Sequence, residues 1–194
     1  AKKLGLFGSN EIEEALIDAV TEHVRDIKQK YADSRAGKSG DELNAAKAAF
    51  IANFIKFIEW PDLGRAGSKF VVGVYGADDF ERTVEDALAG RSISGHPIVV
   101  TQIHSDAECK QCRIVISGAS SEDRVEKLGR ICNDAGAVLI GESDDFIRYG
   151  GTIGFVMISS HVHFDVNLDA AKRSHVTISA RLLPLAHEVY RERS

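Results

Sequence analysis

Lys69-Phe70-Val71-Val72-Gly73-Val74-Tyr75-Gly76 is a continuous apolar run that closes on a glycine. A half-buried strand alternates apolar and polar residues, whereas an uninterrupted run needs cover on both faces. Helices alternating with strands along the chain supply that cover, and the flanking sequence reads this way. Downstream, Phe80 to Leu88 reads as a short helix ended by Gly90, and Pro97 to Ile103 as a strand rich in Val and Ile. Cys112 to Ser117 is another strand. Ser121 to Ala135 is a helix, capped by Ser120 or Ser121 with acidic residues following, and Ala137 to Ile140 is a strand. Thr152 to Ile158 and Val162 to Val166 flank Ser159-Ser160-His161 as a hairpin. Leu168 to Arg173 and Ser179 to Tyr190 read as closing helices.

Upstream of the run, Asp41 to about Ile58 reads as a helix with Leu43, Ala46, Phe50, Phe54, Phe57 and Ile58 turned inward. Trp60-Pro61 stops it, because the residue before proline is pushed out of helical geometry. Ser34 to Gly40 is a linker. Before it, Asn10 to Tyr31 carries a narrow stripe of Ile12, Leu16, Val20, Val24, Ile27 and Tyr31 at helical spacing. The stripe fits a helix packed on its own domain or one offered to a partner. The expected fold is α/β: a mixed, partly parallel sheet of about six strands with helices on both faces, plus an extra N-terminal helix. Residues 1–40 form that helix and linker, and residues 41–194 the α/β domain.

Composition narrows the function. The chain has 194 residues with a formal charge of -5, a mildly acidic balance that suits neither nucleic acid nor an anionic lipid surface. No apolar run approaches the roughly 20 residues a membrane helix needs. The start, Ala1-Lys2-Lys3-Leu4, has no apolar signal core, which leaves a cytosolic protein or an exported one whose signal was removed. Cys109 and Cys112 form a single C-x-x-C and Cys132 is a third cysteine. One such pair is weak for zinc, and both a disulfide and free thiols remain open.

Chemistry-bearing patterns are sparse. His161-x-His163-x-Asp165 places three potential ligands on one face of a strand, a pattern that also describes a solvated hairpin face. There is no nucleophile elbow and no dinucleotide fingerprint. Neither metal nor cofactor is expected. Phe50, Phe54 and Phe57 at helical spacing read as core. Trp60, at a helix end beside proline, is a candidate for a partner or ligand surface, as Trp is enriched there. Arg148-Tyr149, beside Gly150-Gly151, could grip an anion or ligand.

Ala48 to Pro61, with its Phe-x-x-Trp-Pro ending, resembles the opening signature of the YfiR-like (HmsC-like) periplasmic regulators. Gly73-Val74-Tyr75-Gly76, Cys112 to Ser117, Tyr149 to Ile153, Phe164 to Ala171 and Ile178 to Leu183 are similar to later landmarks of that family in the same order. The likeness spans roughly Asp41 to Val189. It implies an exported protein, without catalytic residues, that inhibits an inner-membrane diguanylate cyclase by binding its periplasmic sensor domain. It further implies a homodimer, and an outer-membrane lipoprotein as a second partner. Arg181, on the expected closing helix, joins Trp60, Arg148 and Tyr149 as a candidate contact. In that compartment Cys109, Cys112 and Cys132 become candidates for a disulfide. The rival reading is a periplasmic small-molecule sensor that feeds a signalling kinase or transporter.

Overall fold

The computed structural model describes residues 39–61, 63–65, 67–118, 121–158 and 161–191. The expected helix from Asn10 to Tyr31 lies outside the described residues. The chain runs α1 (Ser39–Phe57), β1 (Ile58–Glu59), β2 (Phe70–Tyr75), α2 (Asp78–Leu88), β3 (Ser92–Ile93), β4 (His96–Ile103), α3 (Asp106–Cys109) and β5 (Ile114–Ser117). It continues through α4 (Glu122–Ala135), β6 (Val138–Gly141), β7 (Ile153–Ile158), β8 (His161–Asn167), α5 (Leu168–Arg173), β9 (Thr177–Ile178) and β10 (Glu188–Tyr190).

Eight strands form one sheet in the order β10-β8-β7-β6-β5-β2-β4-β3. The five from β4 to β7 are mutually parallel; β8 and β3 run antiparallel to their inner neighbours, and β10 runs parallel to β8. The sheet is therefore mixed and mostly parallel. It exceeds the expected six strands by β3 and β10, the two edges, which span two and three residues. Strands that short leave no periodic signal. β1 and β9 pair separately as a two-stranded ribbon.

The apolar run that opens the reading is β2, in the middle of the parallel set, and both its faces are covered. On one face Phe70, Val72 and Val74 join Ile51, Phe54 and Ile55 of α1 and Val84 and Leu88 of α2. On the other, Val71 and Tyr75 pack against a smaller cluster that holds Leu128 and Cys132 of α4. Burying each such large aliphatic or aromatic side chain contributes roughly 1.5–3 kcal/mol. Phe54 is 1% exposed, stacked on Phe50 and set edge-on to Phe164, and is core as expected, whereas Phe50 and Phe57 are only partly buried against that core. The buried face of α1 also includes Ala45, Ala48, Ala49 and Ala52, small residues that let the helix lie close to its neighbours.

The closing segment corrects the sequence reading. Ser179 to Tyr190 is not a helix: a 3-10 turn spans Leu183–Leu185, and β10 follows it. Leu182, Leu183, Leu185 and Ala186 imitate a helical stripe. Pro184 cannot supply the N–H that a helix interior needs, and it fits the first turn of the 3-10 segment. The chain then joins the sheet through the His187 N–H, which donates to the Phe164 carbonyl at 2.8 Å.

Candidate functional site

In the parallel set the strand order reverses at β2, and open α/β sheets usually take ligands in the crevice beyond the carboxyl ends of the strands at such a point. Here the backbones meet. Gly118 donates its N–H to the Tyr75 carbonyl at 2.9 Å, and a Cβ at Gly118 would collide with the Gly76 carbonyl oxygen. Polar side chains crowd the neighbouring surface. Arg124 hydrogen-bonds the Tyr75 hydroxyl, lies over its ring at 4.7 Å and pairs with Asp106 at 2.8 Å. Lys127 pairs with Asp106 at 2.8 Å as well, and hydrogen bonds from Lys127 and then Arg124 hold the Asp106 carboxyl below its ordinary range.

At the same end of the sheet, the β6–β7 loop overhangs a cleft of about 720 Å³. The Phe146 ring anchors the loop. It is 2% exposed and lies against Gly141 and Gly151, where side chains would displace it. Arg148 pairs with Asp145 at 3.0 Å and Glu188 at 2.9 Å, and lies 5.5 Å from the Tyr190 ring centre. Tyr149 donates to the Glu122 carboxylate, which raises the phenol's pKa. Asp165, buried in the cleft wall, accepts from His187 Nδ1 at 2.9 Å. A carboxylate can only accept, so Nδ1 carries the proton. Lys47, buried on α1, pairs with Glu142 at the mouth of the cleft.

Trp60 stands at the opposite end, where the parallel strands begin. Its ring meets Phe70, the first residue of β2, edge-on at 4.9 Å. It borders a cleft of about 290 Å³ with Pro61, Arg113, Asp134 and His175. Arg181 is exposed on the turn after β9, not on a helix, and its N–H donates to Ser179 Oγ at 3.3 Å. The structure thus sends Arg148 to β10 and the cleft and Tyr149 to the α4 side, and leaves Trp60 at the far end of the sheet.

The cysteines correct the disulfide expectation: Cys109, Cys112 and Cys132 are all buried free thiols. Cys109 and Cys112 lie on one helical turn, and each thiol points to the carbonyl four residues back, Ser105 at 3.6 Å and Glu108 at 3.4 Å. A Cβ at Gly73 would lie 2.6 Å from Cys112 Sγ, so the glycine inside β2 makes room for this sulfur. Burial pushes all three thiols up, Cys112 to about 11.

Asp165 and His163 share a strand face, but Asp165 turns to His187, whose ring centre is 6.5 Å from that of His163. Among the described residues no three His, Cys, Asp or Glu side chains are placed to hold a metal. Sequence reasoning missed the pairings of Lys47 with Glu142, Asp165 with His187, and Arg124 with Asp106. These partners are 95, 22 and 18 residues apart. No local spacing announces them.

A doubly wound α/β domain with charged clefts at both ends of its sheet is the class these features define. A family model described as YfiR/HmsC-like matches residues 44–187, and the chain belongs to that family. Among solved structures, a conserved domain protein from Vibrio cholerae superposes with a TM-score of 0.51 at 11% identity, over 76% of this chain and 60% of that one. That likeness is one of fold alone. An ABC domain from Streptococcus pneumoniae, in complex with L-Trp, gives a TM-score of 0.48 at 12% identity over 72% of this chain and 59% of that one. The chain thus spans about three-fifths of the length of either. No curated protein matches it.

Proposed function

We propose that this chain is a periplasmic regulatory protein that represses an inner-membrane diguanylate cyclase by binding the cyclase's periplasmic sensor domain, and so limits cyclic-di-GMP and biofilm formation. The observation that carries this reading is the family match over residues 44–187. The cleft beside Arg148 agrees with it: the charged side chains there are tied to one another, an arrangement suited to recognition by shape and charge more than to proton transfer. Among the described residues no helix is long and apolar enough to cross a membrane. Three free thiols count against an oxidising compartment, where disulfides persist, and burial with raised pKa values is what lets them stay reduced there. The same reading makes the protein a non-enzymatic homodimer without a cofactor, sequestered in turn by an outer-membrane lipoprotein.

Two measurements test it. Deleting the gene in the source bacterium raises cellular cyclic-di-GMP, and restoring the exported protein reverses the rise. The purified protein also captures the sensor domain of a cyclase encoded in the same genome. Unchanged cyclic-di-GMP together with no capture overturns the reading.

A further inference from the structure

The chain that precedes α1 enters beside the cleft under the β6–β7 loop. α1 runs from the carboxyl end of the parallel strands to their amino end. Lys47 pairs with Glu142, which follows β6, and Trp60, just past the helix, meets Phe70 at the start of β2. Ser39, the first residue of α1, stands a little over two turns before Lys47, which puts it about 12 Å further out at the carboxyl end. Residues 1–38 lie outside the described residues. Seven residues of extended chain reach roughly 23–25 Å, so Tyr31 and the residues just before it are tethered within range of the cleft. We propose that this cleft docks the chain's own segment from Val24 to Tyr31.

Two properties of the cleft select this occupant. The first is apolar surface. Ile147, Phe155, Val156 and Met157 line the cleft, and Met157, at 49%, is the most exposed large hydrophobic among the described residues. Val24, Ile27 and Tyr31 recur three and four residues apart, the spacing with which one helical face fills a groove. The second is charge. Glu142, Asp144, Asp145, Asp165 and Glu188 line the cleft against Arg148, with Lys47 at its mouth, and Asp144 makes no ion pair with a described residue. From Val24 to Lys38 the chain carries Arg25, Lys28, Lys30, Arg35 and Lys38 against Asp26 and Asp33. The stretch before Val24 has the opposite sign: Glu11, Glu13, Glu14, Asp18 and Glu22 with no Lys or Arg from Asn10 to His23. Only the later half is therefore matched to a carboxylate-rich cleft. The short tether adds a high effective concentration, so even weak contacts hold the segment in place. Docking there closes the cleft to an outside partner until that partner displaces the segment.

A carbodiimide joins a lysine amine to a carboxylate without a spacer. Applied to the full chain, it gives links from Lys28 or Lys30 to Glu142, Asp144 or Glu188, read by mass spectrometry of the digest. A mixture of light and nitrogen-15-labelled protein places those links within one copy. Sodium chloride at about 0.5 M screens the attraction and lowers their yield. Trypsin reads the same docking from the other side. At low salt it cuts after Arg25, Lys28 and Lys30 at least about threefold faster in Asp144→Lys than in the wild type, the scale of one exposed ion pair. Cutting after Lys2 and Lys3 is equal in the two proteins. Asp144 is exposed, so the variant keeps the wild-type circular dichroism. Links found only between copies overturn the proposal, in favour of a second copy seated in the cleft. Links from Lys28 and Lys30 to other faces, or no links at all, overturn it too, as does cleavage that neither salt nor Asp144→Lys changes. No partner enters these measurements, so this idea and the cyclase reading can each fail alone.

Discussion

The two ends of the sheet are built on opposite terms. Where the parallel strands finish, charges are abundant and tied together: Arg148 with Asp145 and Glu188, Lys47 with Glu142, His187 with Asp165, and Arg124 and Lys127 with Asp106. Where the strands begin, the Arg113 side chain lines a cleft and makes no ion pair with a described residue. The first end spends its polar groups on its own geometry. The second leaves a guanidinium outside any such network. A count of charged residues would rank the ends the other way round.

The largest way to break this contrast is Phe146→Ala. The ring seats the β6–β7 loop against two glycines, and truncating a buried Phe costs ~3–5 kcal/mol. Urea unfolding should show a loss of that size; a loss below ~1 kcal/mol would mean that the loop is held some other way. Asn167→Ala comes next. Its Nδ2 donates to the Ile147 carbonyl at 2.6 Å, and its Oδ1 caps α5 by accepting from Ala170 at 2.8 Å. Losing both contacts should cost about 2 kcal/mol, in line with a cap and a buried hydrogen bond.

A pH series sharpens the contrast with less force. The Cys112 thiol has its pKa raised to about 11, above the ordinary value of 9.0, chiefly by burial. A raised folded pKa adds stability that is complete below the unfolded value and fades as pH climbs through the folded one. Thermal melts should therefore begin to fall above about pH 9 and keep falling toward pH 11. Cys112→Ser, which removes this titration, should lessen that fall, with Cys109 and Cys132 supplying the rest. Alkylation of the native thiols by iodoacetamide at pH 8 should be far slower than that of the urea-unfolded chain. At the acid end the sign reverses. Asp106 has its pKa lowered from 3.8, so its contribution is present above that value and is lost as pH drops through the folded pKa. Asp106→Asn should blunt the acid-side melting shift.

The smallest effect is expected at the other end. Arg113→Gln should change stability by no more than ~0.5 kcal/mol, because the guanidinium has no ionic partner to strand. A larger loss would show that Arg113 works inside the fold and would erase the difference between the ends.

The fold was largely legible because its central strands are unbroken apolar runs and its helices carry ordinary stops. Gly76 closes β2, Gly90 follows α2, and Gly136 ends α4 in a left-handed turn at φ +69. The segment from Ser179 to Tyr190 was misread because spacing outweighed Pro184. Its path is set by β8, and local sequence does not encode that neighbour. Trp60 was read as a candidate contact by its place at a helix end, and the structure packs it half-buried against the core beside Phe70. Arg113 was not, since an arginine after a buried cysteine looks like any strand start, and only the return of the Ser174–Val176 turn makes it the wall of a cleft.

The two edge strands are also the shortest of the sheet, two residues in β3 and three in β10. A long bare edge is a template on which a second copy can add its own strand, and then a third. With β10 stripped away, the seven-residue β8, which carries Val162, Phe164 and Val166, would become such a template. β10 therefore acts as a stopper against polymerisation, and a few residues at one rim help to keep this sheet from growing into a fibre.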